Sequence, residues 1–200
     1  MKKLIILAAA LLLGWQAQAQ IIADAGFAVA FEKTKTAEGN RPTSMLGVYA
    51  GANYYYNLDD LMDGLAVQPG LNFSLLFGRH WEFYDVRVRE LALNLPIPIS
   101  FTYEINDNLK VFGQTGPTIQ FALTHKAMDP TGIYNLLNKQ NAYGWVRSPF
   151  NLYWGIAAGV EVNDMLRIQT GYDFGFFNLS RSESIKINRG FLHFGVGYLF

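Results

Sequence analysis

Residues Leu91 to Ile105 read Leu-Ala-Leu-Asn-Leu-Pro-Ile-Pro-Ile-Ser-Phe-Thr-Tyr-Glu-Ile. Every odd position is apolar: Leu91, Leu93, Leu95, Ile97, Ile99, Phe101, Tyr103 and Ile105. The even positions, Ala92, Asn94, Pro96, Pro98, Ser100, Thr102 and Glu104, are small or polar. A period of two held over fifteen residues describes a strand, because side chains alternate across a pleated chain. Soluble strands are commonly about five or six residues long, so this one is unusually long. One flank is greasy throughout, and the other is unsuited to an apolar medium.

The same alternation recurs in seven further stretches. Phe27, Val29 and Phe31 oppose Asp24, Ala28 and Glu32 in the first. Leu46, Val48 and Tyr54 oppose Gly47, Gly51 and Asn53 in the second, and Leu71, Phe73 and Phe77 oppose Gly70, Asn72 and Ser74 in the third. The fifth sets Ile119, Phe121 and Leu123 against Thr118, Gln120 and Thr124. The sixth sets Trp154, Ile156 and Val160 against Gly155 and Glu161, and the seventh Tyr172 and Phe174 against Gly171 and Asp173. The eighth sets Leu192, Phe194 and Val196 against His193, Gly195 and Gly197. Bulky residues gather on the apolar flank and small ones on the polar flank. A soluble barrel of the lipocalin kind would turn the apolar flank inward. Small residues suit the crowded interior of a narrow barrel, and bulky apolar ones suit a wall facing lipid. Only closure satisfies every backbone polar group there. The expected fold is therefore all-β: an eight-stranded antiparallel up-and-down transmembrane β-barrel.

A cleavable signal peptide precedes it. Lys2 and Lys3 form a positive start, Leu4 to Leu13 an apolar core too short to span a bilayer, and Ala17-Gln18-Ala19 a small-x-small cleavage site. This divides the chain into a leader, 1–19, and a barrel domain, 20–200. The 200 residues include no cysteine, which excludes disulfides, thiolate metal sites and a lipidated cysteine.

The expected connections are 33–44, 57–64, 79–86, 106–108, 125–148, 163–164 and 179–188, broadly alternating long and short. Long loops belong outside the cell and short turns in the periplasm. The long-loop side carries Lys33, Lys35, Arg41, Arg79, Arg87, Lys126, Lys139, Arg147, Arg181, Lys186 and Arg189 against five acids. The short-turn side carries Asp59, Asp60, Asp63, Asp107 and Asp164 and no base. A basic outer rim suits the phosphates of an anionic leaflet. In 125–148, Asp129 and Pro130 predict an N-cap and first turn, with a short helix over Ile133 to Asn141 that lays Leu136 and Leu137 over the barrel mouth.

Several stretches resemble the outer-membrane β-barrel family of Bacteroidetes that includes the PorT-type proteins. They are Glu90 to Ile97, Phe112-Gly113-Gln114-Thr115-Gly116-Pro117, Gly155 to Gly159 with Leu166 to Gly175 and Asn178-Leu179, and the ending Gly195-Val196-Gly197-Tyr198-Leu199-Phe200. The resemblance implies an eight-stranded barrel at the bacterial outer membrane. Its founding member is implicated in secretion, while most members have no known activity. Terminal Phe200 resembles an assembly signal, which implies the barrel-assembly machinery as a partner during insertion.

No phosphate-binding glycine loop, paired-histidine motif or nucleophile elbow occurs. No catalytic, cofactor or metal residue is expected, nor nucleic acid as a partner. Glu104, Lys110, Glu161, Arg167, Asp173 and His193 point inward by parity and are expected to pair there as a structural network. Pro96 and Pro98 lack N–H groups on one lateral edge, so one seam of the wall loses two successive donors. Aromatic girdles are expected at Trp154 and Phe176 on one side and at Tyr56, Tyr103, Tyr198 and Phe200 on the other. The expected role is non-enzymatic: structural, or accessory to envelope assembly or secretion. Outer-membrane lipid, lipopolysaccharide and envelope proteins are the expected partners. Two rivals remain: passage or binding of a small hydrophobic compound, and a rim-located lipid A-modifying enzyme using His80 or His125 with Ser148 or Ser180.

Overall fold

The computed structural model describes residues 19–79, 86–138 and 146–200. The leader, apart from Ala19, and His80 lie outside the described residues. The strands are β1 (Ala19–Thr36), β2 (Gly39–Asn57), β3 (Leu65–Val67), β4 (Gly70–Arg79), β5 (Arg87–Pro96), β6 (Ile99–Asn106), β7 (Leu109–Asp129), β8 (Gly132–Asn135), β9 (Phe150–Val162), β10 (Leu166–Gly175) and β11 (Lys186–Leu199). All pairings are antiparallel. β3 and β4 are two halves of one wall strand, as are β5 and β6, and β8 folds back on β7. Going round, the wall runs β1, β2, β3/β4, β5/β6, β7, β9, β10, β11, and β1 closes it by pairing with both β2 and β11. This is an eight-stranded up-and-down barrel.

The parity of each strand sets its faces. Phe27, Phe121, Ile156 and Phe194 are 63%, 40%, 57% and 52% exposed, while Asp24, Gln120 and Glu161 are buried inside. The bulky flank therefore faces out, as an apolar solvent requires. Trp154 lies on this outer wall and donates its indole N–H to Thr115 Oγ1 at 2.9 Å.

Two connections and one strand differ from expectation. The segment 33–44 is no long loop: β1 and β2 stay in register out to Thr36 and Gly39, and two residues make the turn. Lys33-Thr34-Lys35 and Arg41-Pro42-Thr43 alternate like the strands below them, so the ladder continues past the wall, and Gly39 supplies the φ of 135°. The expected helix after Asp129 is a hairpin. Asp129 Oδ1 accepts from Thr131 N at 2.7 Å and Gly132 N at 2.9 Å, which is side-chain capture of a turn, and β-branched Thr131 and Ile133 then favour the strand. Leu136 is nonetheless buried at the mouth, against Val86 and Ala127. The fifteen-residue alternation of the fourth wall strand is interrupted at 97–98, between β5 and β6.

Strict alternation also fails in β7. β5 pairs Leu91 with Thr124 but Ala92 with Ala122, so one extra residue is accommodated beside Leu123. Such a bulge exchanges the two faces of everything beyond it. Gln120 faces in below it, and His125 and Ala127 face in above it, while Lys126 faces out.

At the prolines the two edges of the wall strand differ. Toward β7 the register runs unbroken, from Pro96 opposite Thr118 to Ile99 opposite Thr115, and Ile97 N donates to Pro117 O at 2.9 Å. Toward β3/β4 the regular pairing stops at Asn72 opposite Asn94 and resumes at Val67 opposite Ile99. Gln68 N still donates to Pro98 O at 2.9 Å, and a third proline, Pro69, sits in the gap.

Candidate functional site

The barrel interior is sheltered from lipid, and its chemistry is layered. Near the outer end Glu32 arrives on β1, Glu90 on β5, His125 on β7, Arg189 on β11 and Arg147 on the segment before β9. All but Arg147 are 6% exposed or less. Arg189 is the hub. Its Nε donates to Glu32 Oε1 at 2.7 Å, and its Nη1 and Nη2 donate to Glu90 Oε1 and Oε2 at 2.5 and 2.8 Å. β11 and β5 are four positions apart in a ring of eight, so this fork crosses the bore. Arg147 grips Glu32 from above through both terminal guanidinium nitrogens, Nη1 donating to Oε2 at 3.1 Å and Nη2 to Oε1. His125 Nδ1 lies 2.5 Å from Glu90 Oε2.

The planar guanidinium suits this place because two of its donors match one carboxylate while a third reaches another. An apolar cluster of Ala28, Ala30, Met45, Leu76, Val88, Tyr153 and Phe191 packs beside the ion pairs and excludes water. Tyr153 donates its hydroxyl to Gln120 Oε1 at 3.0 Å and meets Phe191 edge-on at 5.2 Å between centroids.

Below lies a cavity of about 120 Å³ whose wall is mostly apolar surface interrupted by polar groups. Asp24, Asn53, Asn72, Gln114 and Arg167 line it, and each has a buried polar atom without a hydrogen-bond partner among the described residues. Buried polar atoms demand partners, so an occupant of this cavity must offer hydrogen bonds as well as apolar surface. Pro96 and Pro98 line the same cavity, which places the interrupted seam at its side.

Arg167 forms the floor. It sits 3.7 Å above the Phe112 ring, donates to Gln68 Oε1 at 3.1 Å and lies 3.6 Å from Glu161.

The six inward candidates therefore do not form one network. Glu161 and Arg167 meet at the floor, and Asp173 and His193 lie 3.9 Å apart beside the cavity. Lys110 pairs instead with Asp164 at 2.7 Å, at the short-turn rim. Glu104 stands opposite Lys110 in the β6–β7 register but is exposed to solvent and makes no ion pair among the described residues, since Lys110 turns to Asp164. Phe200 points out of the wall, 73% exposed, with its N–H donating to Ile21 O at 2.9 Å.

His125 is not a rim base: it is 1% exposed inside the barrel. Ser148 and Ser180 bond locally, to Phe150 and Ser182. Sequence reasoning missed the outer ion cluster. Parity puts Glu32 inside, whereas Arg189 counts among the long-loop cations and Glu90 precedes the alternating stretch that starts at Leu91. Only the bulge turned His125 toward them, and only the fold brought Arg147 across.

Among solved structures, Neisserial surface protein A is 11% identical, with a TM-score of 0.50, covering 91% of this chain and 99% of that one. Ail of Yersinia pestis is 15% identical, with a TM-score of 0.46, covering 92% and 99%. The outer-membrane enzyme PagL is 11% identical, with a TM-score of 0.43, covering 86% and 98%. The likeness to Neisserial surface protein A is one of fold. Comparison with curated proteins gives no match. The family described as outer membrane protein beta-barrel domain matches residues 16–181. With the closed ring and its lipid-facing wall, that match establishes that the chain belongs to the outer-membrane β-barrel family and resides in the bacterial outer membrane.

Proposed function

We propose that this barrel is a closed, non-enzymatic scaffold of the outer membrane that serves envelope assembly or secretion as an accessory, and does not conduct through its bore. The observation that supports this reading is Arg189, tying Glu32 on one wall to Glu90 on the opposite wall. The PorT-type resemblance supports the accessory role, with envelope proteins as partners and the barrel-assembly machinery handling insertion. In planar bilayers the purified barrel is expected to give no steady conductance at neutral pH. A steady open level in the wild-type protein refutes a closed bore. In cells, a deletion strain is expected to become sensitive to detergents and large antibiotics, with its lipid A mass spectrum unchanged. A shifted lipid A acyl pattern, restored by the wild-type chain, refutes the non-enzymatic reading.

One observation favours a second reading. The interrupted β3/β4–β5/β6 seam lies beside the cavity, whose wall offers both apolar surface and polar groups, so a small amphipathic compound could enter sideways from the membrane. Replacing Pro96 and Pro98 with valine restores the two missing donors and should close such a path. Equal uptake of a labelled amphiphile by wild-type and P96V/P98V vesicles removes this reading.

A further inference from the structure

The bulge that sends His125 inward sends Lys126 outward, and Lys126 lands directly opposite Arg89. One strand over, Arg79 stands directly opposite Arg87. All four are exposed on the outer wall near its extracellular edge. Directly opposed side chains have Cβ atoms about 4.5–5.5 Å apart, and like charges so placed repel. Arg87 and Arg89 are two residues apart on one face, about 7 Å by the strand rise. The ion pairs among the described residues involve none of the four. Four cations of three strands thus form a compact patch with no ion-pair partner among the described residues.

Its surroundings select the counter-charge. Arg89 lies 5.6 Å from the Phe77 ring centroid, at the boundary between charge and grease. Phe73, Phe77, Phe121 and Leu123 continue the wall below as exposed apolar surface. A soluble anion meets only the upper half of this surface. A lipid with phosphate on its head group meets both halves, its phosphates among the guanidinium forks and its chains along the aromatic wall. Because the patch faces the membrane at the outer edge, the lipid must come from the outer leaflet.

We propose that Arg79, Arg87, Arg89 and Lys126 form a binding site for a phosphorylated glycolipid of the outer leaflet, of the lipid A class, and that the β7 bulge completes it by turning Lys126 outward. The site depends on the membrane placement of the wall and not on the accessory role proposed above.

Native mass spectrometry of the full chain in detergent tests it, with bis-phosphorylated lipid A, dephosphorylated lipid A and inorganic phosphate as probes. The wild-type barrel should retain one bis-phosphorylated lipid A. The triple variant Arg87→Gln, Arg89→Gln, Lys126→Gln should lose at least about tenfold in affinity. Its native fold is checked by the heat-dependent shift in gel mobility. A second variant, Lys33→Gln, Lys35→Gln, Lys186→Gln, removes three exposed cations on the opposite side and should stay within about twofold, since screened charges act over about a Debye length. Retained affinity in the first variant overturns the site. So does an equal loss in both variants, which marks diffuse attraction. Equal binding of dephosphorylated lipid A, or full displacement by millimolar phosphate, overturns the assignment to a phosphorylated lipid.

Discussion

Replacing Arg189 with alanine is expected to destabilise the barrel by about 3–5 kcal/mol, because it strands two buried carboxylates. Glu32 keeps Arg147 and Glu90 keeps His125, but the bridge that joins the two halves across the bore is gone. Urea unfolding in lipid vesicles measures the loss. A companion variant separates this electrostatic cause from simple loss of packing. Changing Glu32 and Glu90 to glutamine together with Arg147→Met and Arg189→Met removes these charges as a set, and it should recover most of the stability, since no ion of the cluster is left stranded. If R189A unfolds like the wild type, or the quadruple variant is as weak as R189A, the ion cluster does not hold the outer end. R189A should also show transient conductance where the wild type shows none, because the fork no longer spans the bore.

Gly47→Val should prevent the barrel from folding, a loss above about 4 kcal/mol. Gly47 is buried on the inner face of β2. A Cβ there would lie 1.9 Å from Leu75 O and 2.8 Å from Leu76 Cα, and backbone cannot swing aside as a flexible side chain can. The β2–β4 seam would have to part where Gly47 pairs with Leu76. Gly113 is the control. A Cβ there meets nothing within 4 Å, so Gly113→Ala should be neutral or raise stability by about 0.4–1 kcal/mol. Refolding yield by gel mobility shift reads both variants. A folded G47V barrel would mean that the neighbouring strands yield more easily than their pairing implies.

The contrast between the two glycines shows how far a linear reading reaches. Parity assigns Gly47 to the inner face and suggests crowding there, but it cannot say that the carbonyl of Leu75 is what crowds it. The prolines at 96 and 98 behave likewise. Their missing donors are written in the chain, yet which neighbour loses them depends on which edge faces β3/β4, and that a third proline, Pro69, sits in the same gap depends on register.

Alternation by itself determined the strands, their faces, the lipid-facing wall and the inward positions of Glu32, Glu161 and Arg167, because side-chain direction in an extended chain is a local property. Tertiary structure alone decided how those charges are partnered. Ring closure put β11 across from β5, so Arg189 met Glu90. One extra residue near Leu123 reversed the faces beyond it, burying His125 and exposing Lys126. Nothing in Ala122-Leu123-Thr124 announces that bulge, since no glycine marks it. Its position is set by what β5 and β7 each need to pair with, a non-local condition that no single stretch of chain contains.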